Sequence, residues 1–266
     1  MTRISPTAEQ IRSYWNSKPL SASDVPYEPG AREYFEFYDK LRETIESVEF
    51  SQRLHEYRDF NGKRVLDVGS GNGYVLSRYA AHGARVDGVD ITPKAIELCQ
   101  KRFAHAGLSG NFQVARAEEL PFADATFDCV CSMGVLHHVS DTERAVAEIH
   151  RVLKPGGRLI VMFYHRNSAQ YQFKYRLVHL VKGRSMQELV NHFDGPGNPR
   201  GDIYSRRELR ELLAAFEPPE MFVGFLEREM LTRRVGQFVP QWLLRWLEPR
   251  IGWNLYAKTR KKGAER

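Results

Sequence analysis

Cysteine is scarce in this chain. Its 266 residues include three cysteines and no CxxC pair, so a disulfide framework is excluded and no zinc or dithiol redox site is indicated. No apolar run approaches the roughly 18 residues that a membrane-spanning helix needs, and the first residues contain no apolar signal core. No internal repeat or low-complexity tract is present. We therefore expect a cytoplasmic globular protein whose cysteines are buried, reduced thiols.

Acidic residues are in the minority, with 33 Asp and Glu against 39 Lys and Arg, for a net charge of +6. The excess lies in residues 227–266, which contain 10 basic and 4 acidic residues. A basic segment can serve an acidic partner such as phosphate or an anionic membrane surface. For the run of charges at 258–262, we expect instead a solvated and frayed terminus.

From Gly62 onward, short apolar runs alternate with helical patterns. Thr92 and Pro93 are typical of a helix start, and Ser140 with Glu143 predicts a capping box at another. The predicted strands are 63–68, 85–90, 111–114, 127–132, 158–163, 221–226 and 253–257. This alternation predicts an α/β fold, a doubly wound, Rossmann-like seven-stranded mostly parallel sheet with helices on both faces.

Three segments depart from this alternation. Residues 1–59 are polar and aromatic, with helical stretches broken by prolines, and predict an N-terminal helical cap on a main domain of 60–266. Within that domain, residues 168–200 are aromatic and basic and close on a Gly- and Pro-rich turn, which predicts an inserted helical lid. Residues 232–252 predict a second helical insertion.

The sharpest motif is a strand that runs into G-x-G-x-G at Gly69–Gly73. Such glycines allow positive φ and close approach of a ligand, and the following helix start offers amides to a carboxylate or phosphate. The dinucleotide fingerprint needs a further glycine where this chain has Tyr74, so a nicotinamide oxidoreductase is the weaker interpretation. Asp90 ends the next strand, where a carboxylate suits both hydroxyls of a ribose or caps the next helix. Asp87, the competing acid, should point away by strand alternation.

This stretch resembles motif I of class I S-adenosylmethionine-dependent methyltransferases, and the nearest subgroup is type 11, which includes quinone-biosynthesis methyltransferases. Further segments are similar to later motifs of that family, in the same order. They are residues 88–92, 117–122, 127–130, 135–139 and 153–157. The resemblance covers about residues 62–163.

The resemblance implies S-adenosylmethionine as the cofactor. Asp67 and the glycine turn would hold its methionine part, Asp90 its ribose, and Ile91 would pack on adenine. The backbone of Ala117 and the side chain of Glu118 would meet the adenine amino edge. The full implied set is Asp67, Gly69, Ser70, Gly71, Asn72, Gly73, Asp90, Ile91, Ala117, Glu118 and Met133. The family often has Asp where this chain has Arg116, so no adenine contact is expected from residue 116.

Methyl transfer is an in-line displacement at a sulfonium carbon, for which the protein mainly supplies alignment and desolvation. A hydroxyl or carbon-acid acceptor also needs a base. His137 and His138 follow the fourth strand, where an acceptor should approach, so either is a candidate base. Equally, both could only pack within the loop. Tyr14, Tyr164 and His165 are further candidates, and no residue spacing suggests a metal site.

The sequence argues against one class of methyl acceptor, the bases of nucleic acids. Methyltransferases of this fold that act on amino groups of nucleic-acid bases have a motif similar to Asn/Asp-Pro-Pro-Tyr after the fourth strand. This chain has Ser132–Leu136 at that place. We therefore expect no nucleic-acid partner and a small-molecule acceptor, a metabolite or natural product methylated on oxygen. A membrane-associated quinone or lipid, methylated on carbon or oxygen, is the alternative. A non-catalytic cofactor-binding protein is another.

The second insertion bears on this choice. Trp and Arg alternate with aliphatic residues over 233–253. That pattern is typical of a peripheral membrane contact, but also of a pocket wall with a solvated back. We expect the pocket wall, as the more common case.

Overall fold

An eight-stranded, mostly parallel sheet forms the centre of the molecule. The computed structural model describes residues 6–18, 25–183, 185–231 and 236–263. The strands are β1 (Arg64–Val68), β2 (Arg85–Asp90), β3 (Asn111–Val114), β4 (Phe127–Met133), β5 (Leu153–His165), β6 (Ile203–Tyr204), β7 (Glu220–Gly224) and β8 (Asn254–Arg260). Their order is β3-β2-β1-β4-β5-β8-β7, with β6 beside β5. Only β8 is antiparallel to its neighbours among these pairings.

Helices cover both faces of the sheet. They are α1 (Ala8–Ser17), α2 (Arg32–Ile45), α3 (Val48–His55), α4 (Tyr74–Ala81), α5 (Pro93–Ala106), α6 (Thr142–Val152), α7 (Arg176–Lys182), α8 (Met186–Asn191), α9 (Arg206–Leu212) and α10 (Gln241–Ile251). Successive strand residues enter different cores: Val65 packs with α4 and α5 on one face, and Leu66 with α6 and α9 on the other. The predicted doubly wound fold is confirmed, and the two-residue β6 is an addition to it.

The start of α5 shows how local sequence sets these bounds. The Thr92 side chain accepts a hydrogen bond from the Ala95 amide, Pro93 occupies the first turn, and Gly107 ends the helix at φ +63°. Cys99 is fully buried against the sheet, and the other two cysteines are buried and unpaired as well. The expectation of buried thiols is confirmed.

The expectation of a frayed run at 258–262 is wrong. Lys258 is only 8% exposed and pairs with Glu56 at 2.9 Å, and Lys261 donates to the backbone carbonyls of His150 and Leu153. The physical reason is that β8 lies between β5 and β7. Its backbone is therefore paired on both sides, and the aliphatic stems of its charged residues pack on the sheet.

The N-terminal helices and the lid meet over one end of the sheet. The Tyr14 hydroxyl on α1 donates to the Asp194 carbonyl of the lid at 2.6 Å, and Lys18 donates to the Pro196 carbonyl at 2.9 Å. The lid contains a π-helical turn (Gln170–Tyr175), then α7, α8 and a 3-10 turn (His192–Asp194). Of the second insertion, residues 232–235 lie outside the described part, and α10 occupies most of the remainder. No helix in the described ranges is long and apolar enough to span a bilayer.

Candidate active site

A cavity opens at the carboxyl ends of β1, β2 and β4, where the strand order reverses. Ligands bind at such switch points in doubly wound sheets. It contains about 1200 Å³ of empty space, counting its open mouth. Ile11 and Trp15 of α1 and Tyr38 and Arg42 of α2 form its roof. The N-terminal helices therefore close a cavity whose floor is the sheet edge.

The glycine turn forms the floor next to β1. Gly69, Gly71 and Gly73 have φ values of +82°, +53° and +78°, which L side chains rarely adopt. A Cβ on Gly69 would lie 2.3 Å from a methyl group of Val135. The amides of Gly69 and Ser70 donate to the Val89 carbonyl. Glycine is thus required here both by backbone conformation and by packing.

Asp67 lies at the end of β1, 3% exposed, with its carboxyl group on the cavity wall. Its Oδ1 is buried and accepts no hydrogen bond from the described residues. Burial raises the pKa of Asp67 to about 8, because desolvation disfavours the carboxylate. A ligand ammonium group placed here would supply the missing donor and stabilise the ionised form.

Asp90 ends β2 and also lines the cavity. Its Oδ2 accepts from the Gly71 amide at 3.1 Å, and its Oδ1 accepts from the Thr92 amide and hydroxyl, both at 2.9 Å. Asp90 therefore ties the glycine turn to the start of α5 while it faces the cavity. Burial raises its pKa. Asp87 points elsewhere and pairs with Arg64 at 2.8 Å, as strand alternation predicted.

The cavity is also lined by Ile91, Ala117, Glu118 and Met133, all predicted cofactor residues. Glu118 is 3% exposed, and its Oε1 accepts from the amide and the hydroxyl of Ser140. Its carboxylate therefore anchors the segment before α6 as well as lining the cavity.

The predicted capping box of Ser140 with Glu143 is wrong. Asp141 caps α6 instead, and its carboxylate accepts from the Arg144 amide at 3.0 Å. The helix begins at Thr142, so Asp141 and not Ser140 occupies the N-cap position, and the Ser140 hydroxyl is directed to Glu118, to which it donates.

The two adjacent histidines occupy different environments. His138 lines the cavity, with the Trp15 ring 4.9 Å from its own. Its Nδ1 lies 2.6 Å from the Arg200 carbonyl. Because a carbonyl only accepts, Nδ1 carries a proton, and in the neutral ring the lone pair is on Nε2.

His137 lies behind the cavity wall. It is fully buried, its ring is 3.9 Å from that of Tyr164, and neither ring nitrogen has a hydrogen-bond partner among the described residues. Burial lowers the pKa of His137 well below its usual value. The geometry thus gives His137 a packing environment, in contrast to His138.

Asp194 of the lid is a residue that the sequence did not single out. Its Oδ2 is 3.7 Å from Nε2 of His138, and its Oδ1 accepts from the Tyr164 hydroxyl at 2.6 Å. Tyr14 binds its carbonyl. Tyr14 and Tyr164 therefore meet at Asp194, although none of these three residues lines the cavity itself. His165 binds the Gly252 carbonyl instead and does not line the cavity either. The only sequence signal for Asp194 was the turn that follows it.

The strand order reverses between β1 and β4, the glycine turn lies at that point, and Asp67 and Asp90 lie at the ends of β1 and β2. This arrangement defines a Rossmann-like cofactor-binding protein. Residues 66–161 match the family Methyltransf_11, described as a methyltransferase domain. This segment is thus similar to the methyltransferase domains of the type 11 group of class I S-adenosylmethionine-dependent methyltransferases.

Curated relatives agree over this segment. The ubiquinone/menaquinone biosynthesis C-methyltransferase UbiE of Klebsiella pneumoniae is 38% identical over 110 residues, 40% of this chain and 44% of that protein. The O-methyltransferase rstn1 of Aspergillus nomiae is 39% identical over 116 residues, 42% and 50% of the two chains. The sterol 4-C-methyltransferase strm-1 of Caenorhabditis elegans is 35% identical over 118 residues, 44% and 33%. The chain thus spans between a third and a half of the length of these relatives.

Solved structures share the fold over a greater length. The [4+2]-cyclase SpnF superposes with a TM-score of 0.59 at 20% identity, covering 98% of both chains. The YcgJ protein of Bacillus subtilis superposes with a TM-score of 0.57 at 19% identity, covering 80% of this chain and 98% of its own. At these identities the likeness establishes the fold.

The cofactor of this domain is S-adenosylmethionine, and the residues present fit it. The unpartnered Oδ1 of Asp67 suits the ammonium group of its methionine part, and the carboxylate of Asp90 suits its ribose. Among the described residues, no group of His, Cys, Asp or Glu side chains is arranged to hold a metal ion.

Proposed function

We propose that this protein transfers the methyl group of S-adenosylmethionine to an oxygen atom of a small-molecule acceptor. The observation that carries the proposal is His138, which lines the same roofed cavity as the cofactor-binding residues and has its Nδ1 proton fixed by a backbone carbonyl. Its Nε2, which would carry the lone pair, is buried and has no hydrogen-bond partner among the described residues, so the hydroxyl of an acceptor bound against it would supply the missing donor.

The cofactor side would work by fixed positioning. Asp67 binds the ammonium group, Asp90 the ribose hydroxyls, and Ile91 and Met133 contact the adenine and the cavity wall around it. The bound cofactor supplies a methyl group already activated on a sulfonium sulfur. The residues of this chain therefore need to orient it and to exclude water.

On the acceptor side, one proton would be removed from the nucleophile. The nucleophilic oxygen must lose its proton as it attacks, and Nε2 of His138 receives it. Asp194 lies 3.7 Å from that nitrogen and stabilises the imidazolium so formed. α1 and the lid are joined by the hydrogen bond from Tyr14 to the Asp194 carbonyl, and together they exclude water from the site during the reaction.

A membrane-associated quinone or lipid is the second candidate acceptor, and one observation favours it. The two tryptophans of α10 are 70% and 57% exposed and do not line the cavity. The expected pocket wall is therefore wrong for these side chains, which face away from the core. UbiE, a quinone-biosynthesis C-methyltransferase by name, is among the relatives.

The test is to incubate the purified chain with methyl-labelled S-adenosylmethionine and a deproteinised cell extract. We expect labelled product from the parent protein and a far smaller yield from H138Q. Product in the organic phase supports the lipophilic acceptor, and product in the aqueous phase supports a polar metabolite. Tight cofactor binding with no labelled product from any extract contradicts the proposal and indicates a non-catalytic cofactor-binding protein.

A further inference from the structure

Exposed apolar side chains are concentrated on two neighbouring segments. Of the ten large apolar side chains that are strongly exposed in the described part of the chain, seven lie on the lid helix and around α10. These seven are Phe173, Leu177, Leu180, Val181, Phe238, Trp242 and Trp246. A concentration of exposed apolar side chains of this kind is typical of an interaction site.

Both segments have the geometry of amphipathic helices. On the lid, the exposed residues recur at spacings of four, three and one, which places them on one helical face, while Tyr171 on the opposite side is 1% exposed. On α10, Trp242 and Trp246 lie one turn apart and Leu244 between them is 2% exposed. Each segment thus packs one face on the core and presents the other outward.

The lid lies against the residues that flank the second insertion. Lys174 of the lid donates to the Glu229 carbonyl, just before the second insertion, at 3.3 Å. The indole of Trp253, just after α10, donates to the Tyr171 hydroxyl at 2.9 Å. The residues that flank the second insertion on both sides therefore contact the lid. We name the seven exposed side chains together the lid–α10 face.

Among the described residues, the exposed charged side chains on the lid helix and on α10 are basic, and the exposed acids Glu227 and Glu229 lie before the second insertion. The sequence contains no Asp or Glu between Glu148 and Glu188, a span that includes the whole of the lid helix. Arg176 and Arg245 are exposed beside the apolar residues. The acid of α10, Glu248, is turned inward, where its carboxylate accepts from the Phe225 amide at 2.7 Å.

We propose that the lid–α10 face binds the surface of an anionic lipid bilayer. Exposed tryptophans suit the headgroup region because their rings are amphipathic, and basic residues beside them attract anionic lipid. A second copy of this chain is a poorer occupant, since it would bring the same positive charge against itself.

This placement sets the bilayer next to the lid that carries Asp194. If the proposed function holds, a lipophilic acceptor could reach His138 as the lid moves, without crossing water. That consequence rests on the proposed function. Membrane binding itself does not, and it is measured without cofactor or acceptor.

The first experiment is co-sedimentation of the full chain with phosphatidylcholine vesicles and with mixed phosphatidylcholine–phosphatidylglycerol vesicles at low salt. We expect binding to the anionic vesicles, weakening as salt rises, and a blue shift in tryptophan emission. W242F/W246F should keep binding but lose most of the shift. Failure of the parent chain to bind anionic vesicles overturns the proposal, whether or not methyl transfer is detected.

Matched variants locate the surface. L180S and W242S should each weaken binding by at least roughly 10-fold through lost apolar burial. R176Q and R245Q should each weaken it by roughly 5-fold. L41S and K40Q change exposed residues on α2 and should leave it unchanged. Equal binding by all six variants overturns the proposal, as does a parent dimer that W242S dissociates, because the face is then an interface between two copies.

Discussion

The two sides of the cavity are built in different ways. Six of the eleven predicted cofactor residues lie in one continuous stretch, 67–73. The other five come from the ends of β2 and β4 and from the segment after β3. The proposed acceptor side joins His138, which lines the cavity, to three residues that do not line it. These are Tyr14 of a cap helix, Tyr164 of β5 and Asp194 of the lid. The first is set by backbone conformation close to one turn, and the second by packing between distant segments. The cofactor side should therefore fail when a local conformation is broken, and the acceptor side when one proton partner is lost.

The largest effect should come from the acceptor side. H138Q is expected to lower kcat by roughly 10²–10⁴-fold, the range for loss of a general base, with the cofactor dissociation constant nearly unchanged. H82Q is the matched control, because Nδ1 of His82 also lies 2.7 Å from a backbone carbonyl, that of Arg78, outside the cavity. Steady-state kinetics of both variants decide the point. An H138Q enzyme as fast as H82Q would show that no base acts at this position.

On the cofactor side, D67N should weaken S-adenosylmethionine binding by roughly 10²–10³-fold, because a cation enters a buried site without its carboxylate partner. Titration calorimetry measures this directly. In the parent, binding near pH 7 should also release a proton, since the pKa of Asp67 is raised to about 8 in the free protein. The released proton is detected by comparing buffers of different ionisation enthalpy, and D67N should lack it.

The same substitution should stabilise the free protein at high pH. A raised pKa in the folded state means that the protonated carboxyl is favoured by folding, so its stability is fully present below about pH 4 and is lost as pH rises toward 8. D67N should thus melt above the parent at pH 8 and close to it at pH 4. A variant that binds weakly and is also less stable at pH 8 would contradict the account of this site.

The backbone of the cofactor side is tested by comparing two glycines. G69A should lose about 3 kcal/mol of stability, since overpacking costs about 1–3 kcal/mol and left-handed φ adds about 1 kcal/mol. G107A is the control: Gly107 has φ +63° but nothing within 4 Å of an added Cβ, so it should lose only the φ contribution of about 1 kcal/mol. Chemical denaturation of both gives the difference, and equal losses would show that Val135 yields to the added methyl.

A smaller effect should come from the lid. D194N keeps the size of the side chain but removes the charge beside His138, and we expect a rise of roughly 10-fold in the acceptor KM or a matching fall in kcat. The cofactor dissociation constant is the internal control, because Asp194 does not line the cavity and would act only through His138. A change confined to cofactor binding would contradict the claim that Asp194 acts through His138.

The sequence predictions differ in the same way between the cofactor side and the acceptor side. Strand periodicity and the glycine turn predicted the sheet, Asp67 and Asp90, because these depend on contacts near in sequence. Asp194 was missed because its partners come from elements far apart in the chain. Lys258 was misjudged as frayed because charge alone does not show that β8 pairs on both sides. The predicted Ser140 cap is wrong because α6 begins one residue later, and the Ser140 side chain contacts Glu118, 22 residues away in the sequence.

The most direct test of the central claim is a calorimetric titration of S-adenosylmethionine and of NADH into the parent chain, D90A and D87A. The account predicts one S-adenosylmethionine per chain, no binding of NADH, clearly weaker binding by D90A, and parent-like binding by D87A, whose carboxylate pairs with Arg64 on the far side of the strand. Binding by D90A as tight as that of the parent would contradict the assignment of this cavity as the cofactor site.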